Sequence, residues 1–117
     1  MTGLVSYQAG LAAEASVLRH YERSGRAIAA QRWRGISGEI DLVAREGARV
    51  VFIEVKQSDT HAHAAEHLSA RQMARIYGAA SEFLEGEPAG QLTEARFDVA
   101  LVDGKGRIEI LENAFAA

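Results

Sequence analysis

The sequence predicts a mixed α/β (α+β) domain: one β-sheet with helices packed on it, in the order α-β-β-β-α-β-β. Three observations predict it. Two stretches carry apolar residues at helical spacing. Between them lie two alternating segments joined by a glycine turn. Two more short apolar runs close the chain. The 117 residues suffice for one core, and no repeat or linker divides them, so residues 1–117 are expected to form a single domain.

Residues 9–24 read as the first helix, with Leu11, Ala15 and Leu18 at helical spacing and Gly25 as its stop. Residues 27–34 are a short strand candidate, interrupted by Gln and Arg. Residues 38–45 and 50–57 alternate as strands do. Ser69-Ala70-Arg71-Gln72 fits a capping box ahead of Met73, Ile76, Tyr77, Ala80, Phe83 and Leu84. That helix should end near Gly86, with Pro88 preventing its return. RFDVALV at 96–102 and RIEIL at 107–111 are two further strands, joined around Asp103-Gly104.

Composition removes several function classes. No apolar run reaches the ~18 residues of a membrane span. The first ten residues lack the basic and apolar regions of a signal peptide. There is no cysteine, which excludes disulfides and thiolate zinc sites, and a cytoplasmic location is expected. The formal charge of −3 argues against nucleic acid until its distribution is considered. Residues 19–34 hold five arginines against one acid, whereas residues 82–112 hold eight acids and three basic residues. A local basic face can matter more than the total, although a solvated charged surface explains the same pattern.

The two alternating segments, SGEIDLVA at 37–44 and VVFIEVKQ at 50–57, carry charges inside apolar runs. Gly47-Ala48 between them is a favoured two-residue hairpin loop. Counting outward from it, Asp41 falls opposite Glu54 and Glu39 opposite Lys56. Glu39, Asp41 and Val43 would share one face, as would Phe52, Glu54 and Lys56. Ile40 and Leu42 would meet the core with Val51, Ile53 and Val55. Two carboxylates across a ladder repel each other, and a proton or a cation between them relieves the repulsion. Magnesium binds one or two carboxylates and keeps several waters, so Asp41 and Glu54 read as half of a metal site, with Lys56 beside it. A surface hairpin with a Glu39–Lys56 salt bridge is the competing account. Glu14 lies between Leu11 and Leu18, where a helix packing on the sheet would carry its carboxylate inward; a boundary glutamate reaching water is the alternative.

Asp41, a spacer, then Glu54-Val55-Lys56, after a helix bearing Glu14, resembles the PD-(D/E)xK nuclease superfamily. More of the chain adds to this: GEIDLVA, VVFIEVK, the Gly10 to Glu14 segment, Arg96-Phe97-Asp98-Val99 and Glu112-Asn113-Ala114-Phe115 together resemble the YraN family. Those are small bacterial proteins grouped with endonucleases and similar to archaeal Holliday-junction resolvases. The resemblance runs in order over nearly the whole chain. It implies a restriction-endonuclease-like sheet with flanking helices. It implies Asp41 and Glu54 as metal-binding carboxylates, with the Val55 carbonyl as a backbone ligand and Glu14 as the helix-borne acid. Lys56 would position or activate water and stabilise charge on the phosphate. Glu39 would be either a partner of Lys56 or a further ligand. The implied cofactor is Mg²⁺ (or Mn²⁺), with no small-molecule cofactor. The implied partner is branched or structured DNA, cut by a homodimer, with no membrane involved.

The chain departs from the family pattern where the basic continuation of the motif is replaced by Gln57-Ser58-Asp59-Thr60-His61, and where Gln72 stands in place of a frequent lysine. Each missing cation removes one phosphate neutralisation. Arg32, Arg34, Arg71 and Arg75 are the candidate DNA contacts. His61, His63 and His67 read as surface histidines rather than a zinc site, which no nearby motif completes. Trp33, between Arg32 and Arg34, reads as a core anchor, with base stacking as its alternative. Tyr77 is expected to pack. A non-cleaving DNA-binding or adaptor protein on the same fold is the rival function, and a nuclease for single strands or RNA is a third.

Overall fold

The apolar runs at 50–53 and 99–102 set the centre of the sheet, because strands buried on both faces need apolar residues in succession. The computed structural model describes residues 3–114, with side chains described from Tyr7 onward. Phe115, the last residue of the terminal motif, lies outside them. Helix α1 (Gly3–Arg23) is followed by strands β1 (Ala27–Arg34), β2 (Glu39–Glu46) and β3 (Arg49–Gln57). Helices α2 (His61–Glu66) and α3 (Ala70–Leu84), and a 3₁₀ turn at Gly90–Leu92, lead to β4 (Ala95–Val102) and β5 (Ile108–Leu111). The sheet order is β1-β2-β3-β4-β5. Among the described residues only β3 and β4 run parallel, joined by the α2–α3 crossover that a parallel pair requires. The fold is the expected mixed sheet with helices on both faces. Helix α2 was not anticipated; Thr60 caps it by accepting the His63 N–H.

Helix α1 covers one face of the sheet. Ala13, Val17 and Tyr21 pack there against Leu42, Ala44, Val51, Ile53, Ala100 and Val102. The buried stripe is therefore Ala13/Val17/Tyr21, not the Leu11/Ala15/Leu18 read from the sequence. Ala15 is exposed and Leu11 and Leu18 flank the contact. The helix also starts six residues earlier than expected. Helices α2 and α3 cover the other face, where Ile76, Ala79, Ala80 and Leu84 meet Ile40, Val43, Val50, Phe52, Val99 and Leu101. An aromatic chain crosses this face. Trp33 meets Phe83 edge-on at 5.4 Å, Phe83 meets Phe52 at 5.7 Å, and Phe52 stacks on Phe97 at 5.2 Å. Trp33 is thus a core anchor. Tyr77 lies edge-on to Phe97 at 4.6 Å while remaining 41% exposed, so its packing is one-sided.

The hairpin forms as counted from Gly47, whose φ of +62° supplies the turn, and the β2–β3 ladder holds from Glu46–Arg49 to Leu42–Ile53. Beyond that pair the expected register is not continued. Asp41 turns its carboxylate onto the Val55 N–H at 2.8 Å, a donor that a continuing ladder would have used. The alternation breaks at the same place: Leu42 faces α1, whereas Ile40 joins Val43 on the α3 side. Glu39 does not meet Lys56. It pairs with Arg34, its neighbour in β1, at 3.0 Å.

The far end of the sheet is tied by buried polar groups. Asp98 is almost wholly buried and accepts from the Tyr21 hydroxyl at 2.8 Å, the Arg96 Nε at 2.9 Å and the Asn113 N–H at 3.1 Å. Burial and the neighbouring Asp98 carboxylate push the Tyr21 hydroxyl well above its ordinary pKa, so it stays a donor.

Candidate active site

An open cleft of about 690 Å³ lies where β2 and β3 part. Glu14 and Ala13 of α1, Asp41 of β2, Glu54, Val55 and Lys56 of β3, and Gln72 of α3 line it. Strand alternation points Glu54 and Lys56 to the α3 side. The loss of ladder pairing frees Asp41 to reach across to β3. Helix α1, anchored two turns away at Tyr21, brings Glu14 to the rim. Asp41, Glu54, Lys56, Val55 and Glu14 are therefore brought to one cleft. Glu39 stands apart, held by Arg34, and acts on the cleft only through its charge, which helps raise the Glu14 pKa.

Glu54 is only 5% exposed. Desolvation and the adjacent Asp41 carboxylate push its pKa up to about 9, against the pull of Lys56. The Lys56 ammonium lies 3.3 Å from Glu54 Oε1. The Gln72 side-chain amide donates to the same oxygen at 3.2 Å. Glu14 is raised by burial first and by Asp41 second, while Arg32, 3.9 Å away, opposes both. Three carboxylates thus sit around one opening with one ammonium among them, a donor set suited to a hard cation. Among the described residues no group of three or more acidic or histidine side chains is close enough to hold an ion by itself. The groups that do converge are the Asp41 and Glu54 carboxylates beside the Val55 backbone, a donor set that suits an ion keeping most of its waters.

The contact of Gln72 with Glu54 is what sequence reasoning missed. Ser69 caps α3 by accepting the Gln72 N–H at 3.1 Å, as the capping box requires. The reciprocal half is replaced, because the Gln72 side chain turns to Glu54. The sequence marked Gln72 only as half of a capping box and as the replacement of a frequent lysine, and neither reading placed its amide on Glu54.

The four candidate arginines divide. Arg32 and Arg34 stand by Glu14 and Glu39. Arg71 and Arg75, one turn apart on α3, are exposed and carry no ion pair among the described residues. The histidines do not converge. His61 contacts the Arg107 carbonyl and Glu109, His63 binds Asp59 at 2.6 Å, and His67 lines the cleft.

Fold and cleft define a small α/β protein with a carboxylate–lysine centre at an opened strand pair. Its relatives say which one. Residues 13–102 match the model of the uncharacterised protein family UPF0102. The chain is 72% identical over 117 residues to a UPF0102 protein of Cereibacter sphaeroides, covering all of both chains. It is 64% identical over 113 residues to one of Ruegeria pomeroyi, covering 97% of this chain and 92% of that one. A Roseobacter denitrificans UPF0102 protein is 54% identical over 114 residues, covering 97% and 88%. The chain belongs to the UPF0102 family. Among the described residues, no helix is long and apolar enough to cross a membrane.

Proposed function

We propose that this protein is a metal-dependent endonuclease of the PD-(D/E)xK kind, related to the YraN proteins, acting on branched or structured DNA. The observation that carries the reading is the buried Glu54 carboxylate meeting Asp41 and Lys56 in one open cleft. Two neighbouring carboxylates, one of them buried, call for a proton or a cation between them, and the open cleft gives a cation access. Asp41, Glu54 and the Val55 carbonyl would hold Mg²⁺ (or Mn²⁺), with Glu14 at the rim. The bound ion supplies charge neutralisation at the phosphate and lowers the pKa of water.

The chain's own residues do the rest. Gln72 holds one Glu54 oxygen, so that carboxylate has a set orientation. The Val55 N–H does the same for Asp41. Lys56 places a compact positive charge beside Glu54, where a scissile phosphate gains a charge-assisted contact. The in-line attack of water breaks the phosphodiester and leaves a 3′-hydroxyl and a 5′-phosphate. Symmetric cutting of a four-way junction requires two such sites, supplied by a homodimer.

The rival is a DNA-binding adaptor, favoured by the ion pairs that occupy Arg32 and Arg34. Wild type and Lys56→Ala should be incubated with junction, duplex and single-stranded DNA in Mg²⁺ or Mn²⁺. Wild type is expected to cut the junction, and Lys56→Ala to lose on the order of 10²-fold or more in rate. Equal cutting by both removes Lys56 from catalysis. Binding with no cutting of any substrate selects the adaptor.

A further inference from the structure

The β1–β2 connection, Gly35-Ile36-Ser37-Gly38, is held unusually firmly for a surface turn. The Gly35 N–H donates to the Gly38 carbonyl at 2.9 Å. The Glu82 carboxylate of α3 accepts from the Ile36 N–H at 3.1 Å and the Ser37 N–H at 3.0 Å. Turn and helix touch with no room between them. A Cβ built on Gly78 would lie 2.7 Å from the Ser37 side chain, and one on Gly35 would lie 2.5 Å from Glu82 Oε1. At the tip of this braced turn, Ile36 is 99% exposed.

One exposed isoleucine is ordinary on a protein surface. Its surroundings are not. Arg75 packs beside Gly38, where an added Cβ would lie 3.2 Å from the Arg75 Cβ. Arg75 and Arg71 are the exposed arginines of that helix, and neither has a carboxylate partner among the described residues. Arg26, Arg32, Arg34, Arg45, Arg49, Arg96 and Arg107 each have one, and the remaining arginines without one, Arg19 and Arg23, lie on α1. Gln72, next to Arg71, reaches Glu54 in the cleft. Apolar tip, unpaired guanidinium groups and cleft therefore follow one another across the same side of the molecule. Phosphates answer the guanidinium groups, and the face of an unstacked base answers the isoleucine. A branch point in nucleic acid presents both together. The five residue steps from Ile36 to Asp41 span at most about 17 Å, roughly five base-pair steps.

We propose that Ile36 is a wedge that packs against the opened base step at a DNA branch point, while Arg71 and Arg75 hold the flanking phosphates. This rests on the nuclease reading for the identity of the partner, and it assigns the branch preference to one side chain. The test uses a four-way junction with 2-aminopurine at the branch and a linear duplex of the same sequence, both in EDTA so that binding is read without cleavage. Wild type should bind the junction and raise the 2-aminopurine fluorescence. Ile36→Ser should abolish that rise and weaken junction binding about tenfold, with duplex affinity within about twofold. Arg71→Ala/Arg75→Ala should weaken binding to both DNAs and lower the salt slope by about 2. Equal affinity and fluorescence for Ile36→Ser and wild type overturn the wedge, as does absence of junction binding by wild type. A change from dimer to monomer in Ile36→Ser by sedimentation also overturns it, making Ile36 a contact between copies. In Mg²⁺, junction cleavage that is indifferent to Ile36→Ser overturns the wedge and leaves the nuclease reading standing. An Ile36-dependent fluorescence rise with no cleavage supports the wedge and counts against the nuclease reading.

Discussion

Glu54, the proposed metal-binding carboxylate, is also where the fold works against itself. Its folded pKa of about 9 lies above the ordinary 4.5, so between those values the folded chain keeps a proton that the unfolded chain has released. The unfolded state then binds fewer protons, and stability of the metal-free protein falls as pH rises from about 4.5 to 9. Glu54→Gln keeps an oxygen for the Gln72 amide and removes the charge. It is expected to flatten that slope and to stabilise the protein at pH 8 by about 1–3 kcal/mol, measured by urea unfolding across pH. An unchanged slope would mean that Glu54 ionises freely in the fold. A stabilising change at a site residue is the mark of function held against stability.

Two contacts between elements set where the site residues stand. The first is the bond from Tyr21 to Asp98, which ties α1 to β4 and thereby carries Glu14 to the cleft. Tyr21→Phe removes one charge-assisted hydrogen bond and is expected to cost about 1.5–3 kcal/mol. Asp98→Ala leaves Arg96 short of its closest partner and should cost about 3–5 kcal/mol. Thermal unfolding of the two variants checks the order. The second contact is α3 against the β1–β2 turn. Gly78→Ala forces a methyl into the Ser37 side chain and should cost about 1–3 kcal/mol. Proteolysis near Ile36 should rise with it if the bracing by Glu82 is what holds the turn.

The two ends of the sheet have opposite characters. At one end Glu46 meets Arg26, Arg49 and Arg96, and Arg96 goes on to Asp98, so charge is neutralised within the protein. At the other end Asp41, Glu54 and Glu14 crowd around Lys56 and Arg32 at an open cleft, and Glu54 keeps a proton that a bound cation would displace. A divalent cation should therefore stabilise the whole molecule through that end alone. Mg²⁺ or Mn²⁺ at 100 times its dissociation constant is expected to add about 2.7 kcal/mol, and to add nothing in Asp41→Asn/Glu54→Gln. A thermal shift equal in both proteins would place the ion elsewhere.

Much of this was legible in the residues themselves. The strands of the hairpin, the Gly47 turn and the register as far as Leu42–Ile53 follow from alternation and turn chemistry, which act between near neighbours and need no knowledge of the rest of the chain. The Ser69 cap of α3 is of the same kind. The alternation through Asp41 failed because its carboxylate competes for a ladder donor, an outcome that depends on how β2 and β3 separate. The stripe of α1 failed because its weakly apolar surface leaves the rotation to Tyr21, whose partner Asp98 lies 77 residues away. Glu54's burial, Gln72's second partner and the braced, exposed Ile36 share that cause. Local pattern determines which residues form strand, turn or helix, because propensity and side-chain period are properties of short segments. Which charges meet, which stay unpaired and which lose water is decided by the packing of α1 and α3 on opposite faces of the sheet, because electrostatics and desolvation depend on distances that the chain order does not contain.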